Sequence, residues 1–127
     1  MGDYVGGRIV LRGITGYGYH GVFPAERANG QPFIVDVSCD VDLAAAAASD
    51  DLADTVDYGA LSQAVVHDIE SDPLDLVEAL ADRIAETCLR EPRVTGVSVV
   101  VHKPQAPVHV TVADVAVELR KSRRPGD

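Results

Sequence analysis

Pro32–Leu43 reads PFIVDVSCDVDL, and its spacing decides the fold. Phe33, Val35, Val37, Cys39, Val41 and Leu43 alternate with Ile34, Asp36, Ser38, Asp40 and Asp42. Successive side chains of a strand leave on opposite faces, so this segment makes a strand with one apolar and one acidic face. A sheet built on it packs one face on a core and turns the other to water, as antiparallel sheets do.

Working outward, Arg8–Tyr19 (RIVLRGITGYGY) reads as a strand interrupted by Gly13, Gly16 and Gly18. Those glycines predict a bulge or a close backbone approach. On the other side, Leu43–Ser49 (LAAAAAS) is Ala-rich but too short to count as low complexity. Two helices are expected next. Asp57 can cap the first, whose apolar stripe is Leu61, Ala64, Val65 and Ile69. For the second, Asp72 is placed to cap, Pro73 suits the first helical position and Asp75 lies in the first turn. Its stripe is Leu76, Val77, Leu80, Ile84, Cys88 and Leu89, and Pro92 stops it.

Strand signals then return. Val97, Val99 and Val101 alternate with Ser98 and His102. Beyond a proline loop, Val108, Val110 and Val112 share one parity, and Val115, Val117 and Leu119 the other, which predicts a bend near Ala113–Asp114. The order is therefore β-β-α-α-β-β. It specifies an α+β fold, a four-stranded antiparallel sheet with two helices on one face. Four strands leave two exposed edges and a polar outer face. A ring of subunits joined edge to edge, closing an oligomeric barrel with a wet lumen, resolves both.

The 127 residues, 46% hydrophobic, suit one domain spanning 1–127, with its core over about 8–121 and a basic tail over 120–127. The glycine-rich start and the final SRRPGD read as frayed ends. A net charge of −9 repels a phosphate backbone, and Arg120, Lys121, Arg123 and Arg124 read as a solvated tail, so no nucleic-acid partner is expected. Neither a signal-peptide core nor an apolar run of membrane-spanning length is present. Cys39 and Cys88 read as buried, inert thiols. A soluble cytoplasmic protein with no membrane partner is expected.

Only two of the eleven basic residues are lysines, and one of them, Lys103, stands where a valine run meets the proline loop: VHKPQAPV, Val101–Val108. Pro104 favours extended backbone before it. By parity Lys103 shares a face with Val97, Val99 and Val101, at the rim of an apolar surface. Two readings fit: an amine desolvated towards its neutral form and suited to proton transfer, or a snorkelling strand-end lysine. Glu26 falls in the loop between the first two strands, where a glutamate is ordinarily solvated. Glu78 falls in the second turn of the second helix. Its carboxylate can accept two parallel N–H bonds from an amino-pyrimidinone edge, or simply face water. Tyr58 opens the first helix, where it either stacks on a flat ligand or is half-buried. The four histidines show no metal-ligand spacing, and no phosphate loop or nucleophile elbow is present.

Five segments together resemble the dihydroneopterin aldolase family: GYHGVFPAE (Gly18–Glu26), GQPFIVDV (Gly30–Val37), DTVDYG (Asp54–Gly59), LVEALADRIA (Leu76–Ala85) and VHKPQAPV. Each is weak alone; five in order over residues 8–121 are specific. The resemblance implies the tunnelling fold, tetrameric rings commonly stacked as octamers, and active sites between subunits. It implies a retro-aldol in folate biosynthesis, splitting 7,8-dihydroneopterin into 6-hydroxymethyl-7,8-dihydropterin and glycolaldehyde. It calls for no cofactor and no metal, because the dihydropterin imine accepts the electron pair itself. By the same resemblance Lys103, Tyr58 and Glu26 are the catalytic group. Glu78, with main-chain groups at Val77 and Val56, holds the pterin, and Tyr58 and Glu26 contact the substrate as well. Two rivals accompany this reading: an epimerase of dihydroneopterin or its triphosphate, and, from another class, a non-catalytic pterin-binding ring that keeps Glu78 alone.

Overall fold

The computed structural model describes residues 2–126. Met1 and Asp127, the ends of the expected 1–127 span and of its tail, lie outside the described residues. Four strands, β1 (Arg8–Gly18), β2 (Gln31–Val41), β3 (Val94–His102) and β4 (Ala116–Ser122), form one antiparallel sheet in the order β1-β2-β3-β4. The decisive segment is the central strand β2. Phe33, Val35, Val37, Cys39 and Val41 are buried, and the residues between them are half-exposed.

Helices α3 (Tyr58–Glu70) and α4 (Val77–Leu89) cover the apolar face, α3 against β1 and α4 against β3 and β4. Leu61, Val65 and Ile69 from α3, and Leu80, Ile84 and Cys88 from α4, close the core over the sheet valines. Each fully buried aliphatic there contributes about 1.5–3 kcal/mol. Asp57 caps α3, its carboxylate accepting from the Ala60 N–H. Cys39 and Cys88 are free and fully buried in this core, and the hydrogen bond with Cys39, together with burial, pushes the Cys88 thiol up.

The glycines of β1 behave as their spacing predicts. The β1–β2 register shifts between Leu11 and Ile14, where Gly13 takes φ +75° and its N–H donates to Asp36. At Gly16, a Cβ would lie 2.9 Å from Ile69 Cγ2, so only glycine lets α3 seat this closely.

Five expectations need correction. Helix α4 begins at Val77, not Pro73: Asp72 takes φ +27° and the linker stays irregular, because side chains from elsewhere occupy its backbone groups. Glu78 is therefore in the first turn of its helix, not the second. Val108, Val110 and Val112 form no strand and are 45–72% exposed, since β3 is fully paired with Ala116–Ser122 and offers them nothing to pair with. Two short helices were not foreseen: α1 (Pro24–Asn29), which carries Glu26, and α2 (Ala44–Ser49), where alanine propensity prevails. The basic segment is not a free tail. Arg120 and Lys121 lie in β4 and pair with Asp40 and with Asp82 and Glu86. Arg123 donates to the carbonyls of Leu89, Glu91 and Val94, closing the C-terminus of α4.

Among the described residues, no helix is long and apolar enough to cross a membrane, and no three His, Cys, Asp or Glu side chains are grouped to hold a metal.

Candidate active site

At the end of the sheet where β2 begins and β3 finishes, Lys103 and Glu26 meet. Lys103 Nζ stands 2.6 Å from Glu26 Oε2, and both residues are only 9% exposed. Strand parity put Lys103 on the core side, and that holds; it is not a lone desolvated amine, however, because a carboxylate faces it. Glu26 is buried, not solvated, and helical, not in a loop. Pro24 starts α1, and the Phe23 N–H donates back to Glu26 Oε1. Gln31 Nε2 donates to Oε2 at 2.9 Å. Burial pushes the Glu26 carboxyl up, but the hydrogen bonds from Lys103, Gln31 and the Phe23 N–H outweigh it and hold the group below the ordinary carboxylate range. The pair is thus a preformed, charge-assisted hydrogen bond able to orient an amine for proton transfer.

Beside it lies the start of α4. The turn after β1 and the α3–α4 linker are tied together by the Gly21 N–H to the Leu74 carbonyl and by an Arg27–Asp75 ion pair. No side chain caps α4, whose N-cap position is Leu76. Val77 and Glu78 therefore present first-turn N–H groups and a carboxylate side by side, with Glu78 exposed.

Tyr58 and Val56 are elsewhere. Tyr58, 62% exposed, lines a cavity of about 310 Å³ with Ile9, Leu11, Leu43 and Thr55. Ile9 and Leu11 pair with Cys39 and Val37, near the finish of β2. Along α3, Ile69 reaches Gly16 and His20 at the Lys103 end, while Tyr58 sits at the opposite terminus, roughly 16 Å away at helical rise. Within one chain the structure brings together Lys103, Glu26, Val77 and Glu78, and it separates them from Tyr58 and Val56.

Two residues of the Lys103 end escaped the sequence reading. Gln31 preceded the clean alternation and had no signal of its own. His20, in GYHG, has no metal-ligand spacing and no other sequence signal, yet it is 1% exposed and hydrogen-bonded at both ring nitrogens.

A family model for dihydroneopterin aldolase matches residues 9–120. The dihydroneopterin aldolase of Streptomyces coelicolor is 50% identical over 116 residues, 91% of this chain and 98% of that protein. The crystal structure of E. coli dihydroneopterin aldolase in complex with neopterin aligns with a TM-score of 0.84 at 27% identity, over 91% of this chain and 99% of the other. The dihydroneopterin aldolase of Burkholderia thailendensis bound to guanine aligns with a TM-score of 0.75 at 28% identity, over 94% and 93%.

Proposed function

The chain belongs to the dihydroneopterin aldolase family, the lyases of folate biosynthesis, and on that premise we propose a retro-aldol site shared between two copies, one supplying Lys103, Glu26, Val77 and Glu78 and the next supplying Tyr58 and Val56. The observation that carries the reading is the buried Lys103–Glu26 pair beside an uncapped helix start. The E. coli and Burkholderia relatives hold neopterin and guanine, which share an amino-pyrimidinone edge with adjacent N–H donors. Glu78 suits that edge, since a carboxylate accepts two parallel N–H bonds and the adjacent Val77 N–H has no partner within the helix.

In this scheme a base takes the proton of the hydroxyl on the second side-chain carbon of 7,8-dihydroneopterin. That oxygen forms a carbonyl as the bond between the first and second side-chain carbons breaks, and glycolaldehyde leaves. The released electron pair passes through C6 to N5, giving an enamine. Protonation at the first side-chain carbon restores the imine and yields 6-hydroxymethyl-7,8-dihydropterin. Lys103, oriented by Glu26, handles the hydroxyl proton directly or through water; Tyr58 of the neighbouring copy stands at the carbon that is protonated. Arginine cannot replace Lys103, because a guanidinium does not release a proton near neutral pH.

The split between the two groups of residues supports a ring. Val22, Phe23 and Leu76 are exposed at the Lys103 end, and Val10, Leu52 and Tyr58 at the other. Joining unlike patches head to tail closes a ring, here a tetramer able to stack as an octamer.

The deciding test incubates the purified protein with 7,8-dihydroneopterin and a chelator. Glycolaldehyde and 6-hydroxymethyl-7,8-dihydropterin should appear in equal amounts. Accumulation of the epimer alone, or binding without turnover, overturns the aldolase reading.

A further inference from the structure

His20 is fully enclosed, and both of its ring nitrogens are committed. Nδ1 accepts the Leu74 N–H at 3.0 Å, so Nε2 carries the proton and donates to the Ile69 carbonyl at 2.6 Å. The ring packs edge-on against Phe33, with centroids 5.3 Å apart. One side chain therefore joins the end of β1 to the last turn of α3 and to the linker from which α4 starts. Leu74 is the middle of that linker, and its carbonyl is held by the Gly21 N–H, the next residue along.

We propose that neutral His20 is a positioning residue for pterin binding: by accepting from Leu74 it sets the first turn of α4, with Val77 and Glu78, at a fixed distance from the Lys103–Glu26 pair. This rests on the function proposed above. A protonated ring has N–H groups at both nitrogens, so Nδ1 would face the Leu74 N–H donor to donor. The charged groups around the ring oppose that state: Arg83 from α4, Arg27 from α1 and Lys103 after β3. Phe33 of β2 and the Ile69 carbonyl of α3 add no charge of their own. Burial, first, and those cations hold the imidazole below its ordinary value of 6.5, while the Ile69 hydrogen bond partly offsets them.

Two substitutions separate the nitrogens. His20→Asn keeps an acceptor near the Nδ1 position, and His20→Gln keeps a donor near Nε2. His20→Gln should raise KM roughly tenfold, the effect of one lost buried hydrogen bond, with kcat nearly unchanged. His20→Asn should restore KM. In the wild type KM should climb as pH falls below 6, whereas in His20→Asn it should stay flat there. Dissociation constants for neopterin, read by fluorescence, should follow the same pattern. Equal loss in both variants, a fall confined to kcat, or an acid rise in KM that persists in His20→Asn overturns the proposal. Should the wild type fail to cleave dihydroneopterin, the functional reading falls, while the neopterin constants still decide the role of His20.

Discussion

The two ends of the sheet are built on opposite plans. At the Lys103 end, four polar groups are sealed beside an exposed Glu78: Lys103, Glu26, Gln31 and His20 are 1–9% exposed, and each has its partner inside the chain. At the Tyr58 end an apolar surface stands open, with Tyr58 62%, Leu52 69% and Val10 41% exposed, while Val56 is buried. The difference follows from what each kind of group tolerates. A buried charge must meet its counter-charge within the fold, because an unpaired one is too costly to keep. An aromatic ring can wait at the surface until another copy covers it. On the proposed reading, one chain completes the Lys103–Glu26 pair by itself and leaves the Tyr58 side to be covered by a second copy.

Mixed rings put that contrast to the hardest test. Lys103→Arg should lower kcat by about 10²–10⁴ while neopterin binding persists. Tyr58→Phe should also be impaired. When the two variants are unfolded together and reassembled, random head-to-tail neighbours give about a quarter of the sites a native Lys103 facing a native Tyr58. Activity should return to about that fraction. No recovery, in rings shown to be mixed by native mass spectrometry, would mean that Lys103 and Tyr58 do not serve one site across two copies.

Legibility in the sequence divided along the same line. The fold was readable where local pattern and tertiary setting agree: the alternation of β2, the Asp57 cap and the parity that buries Lys103. It failed where distant groups override a local signal. Asp72–Pro73 looks like a helix start, but His20 and Arg83 claim the linker's backbone groups, and α4 waits until Val77. Val108–Val112 alternates like a strand and finds nothing to pair with. Spacing alone could not bring Lys103, Glu26, Val77 and Glu78 together, because Glu26 and Lys103 lie far apart in the chain; only the family resemblance grouped them before the fold did. The ring nitrogens of His20 bond to backbone atoms, which no side-chain pattern reveals.

Arg123 sharpens the comparison, since it is a half-buried polar feature away from the Lys103 end. Its guanidinium spans the carbonyls of Leu89, Glu91 and Val94, where α4 turns into β3. Removing it leaves helix-end carbonyls without a donor. Arg123→Ala should cost about 2 kcal/mol, as for loss of a charged hydrogen bond, and show as a lower urea midpoint. KM and kcat of the assembled protein should be unchanged, unlike any polar substitution beside Lys103. A catalytic defect without a stability loss would sink this separation.

The smallest effect is expected on the other face of the Lys103 end. There His102 joins two carboxylates, with Nδ1 2.6 Å from Asp114 and Nε2 2.9 Å from Asp36. The hydrogen bond to Asp114, then that to Asp36, raises the imidazole above 6.5. A group raised in the folded state contributes fully below its unfolded value and loses that contribution as pH climbs through the folded one. The wild type should therefore weaken as pH climbs above 6.5, and His102→Gln should show less of that change. The difference should stay below about 1 kcal/mol, because all three side chains are partly solvated. His20, lowered instead of raised, acts in the opposite sense, weakening the fold as pH falls below 6.5. Urea midpoints across this range for the wild type, His102→Gln and His20→Asn separate the two histidines. An unchanged alkaline slope in His102→Gln would show that the slope does not come from the His102 ring.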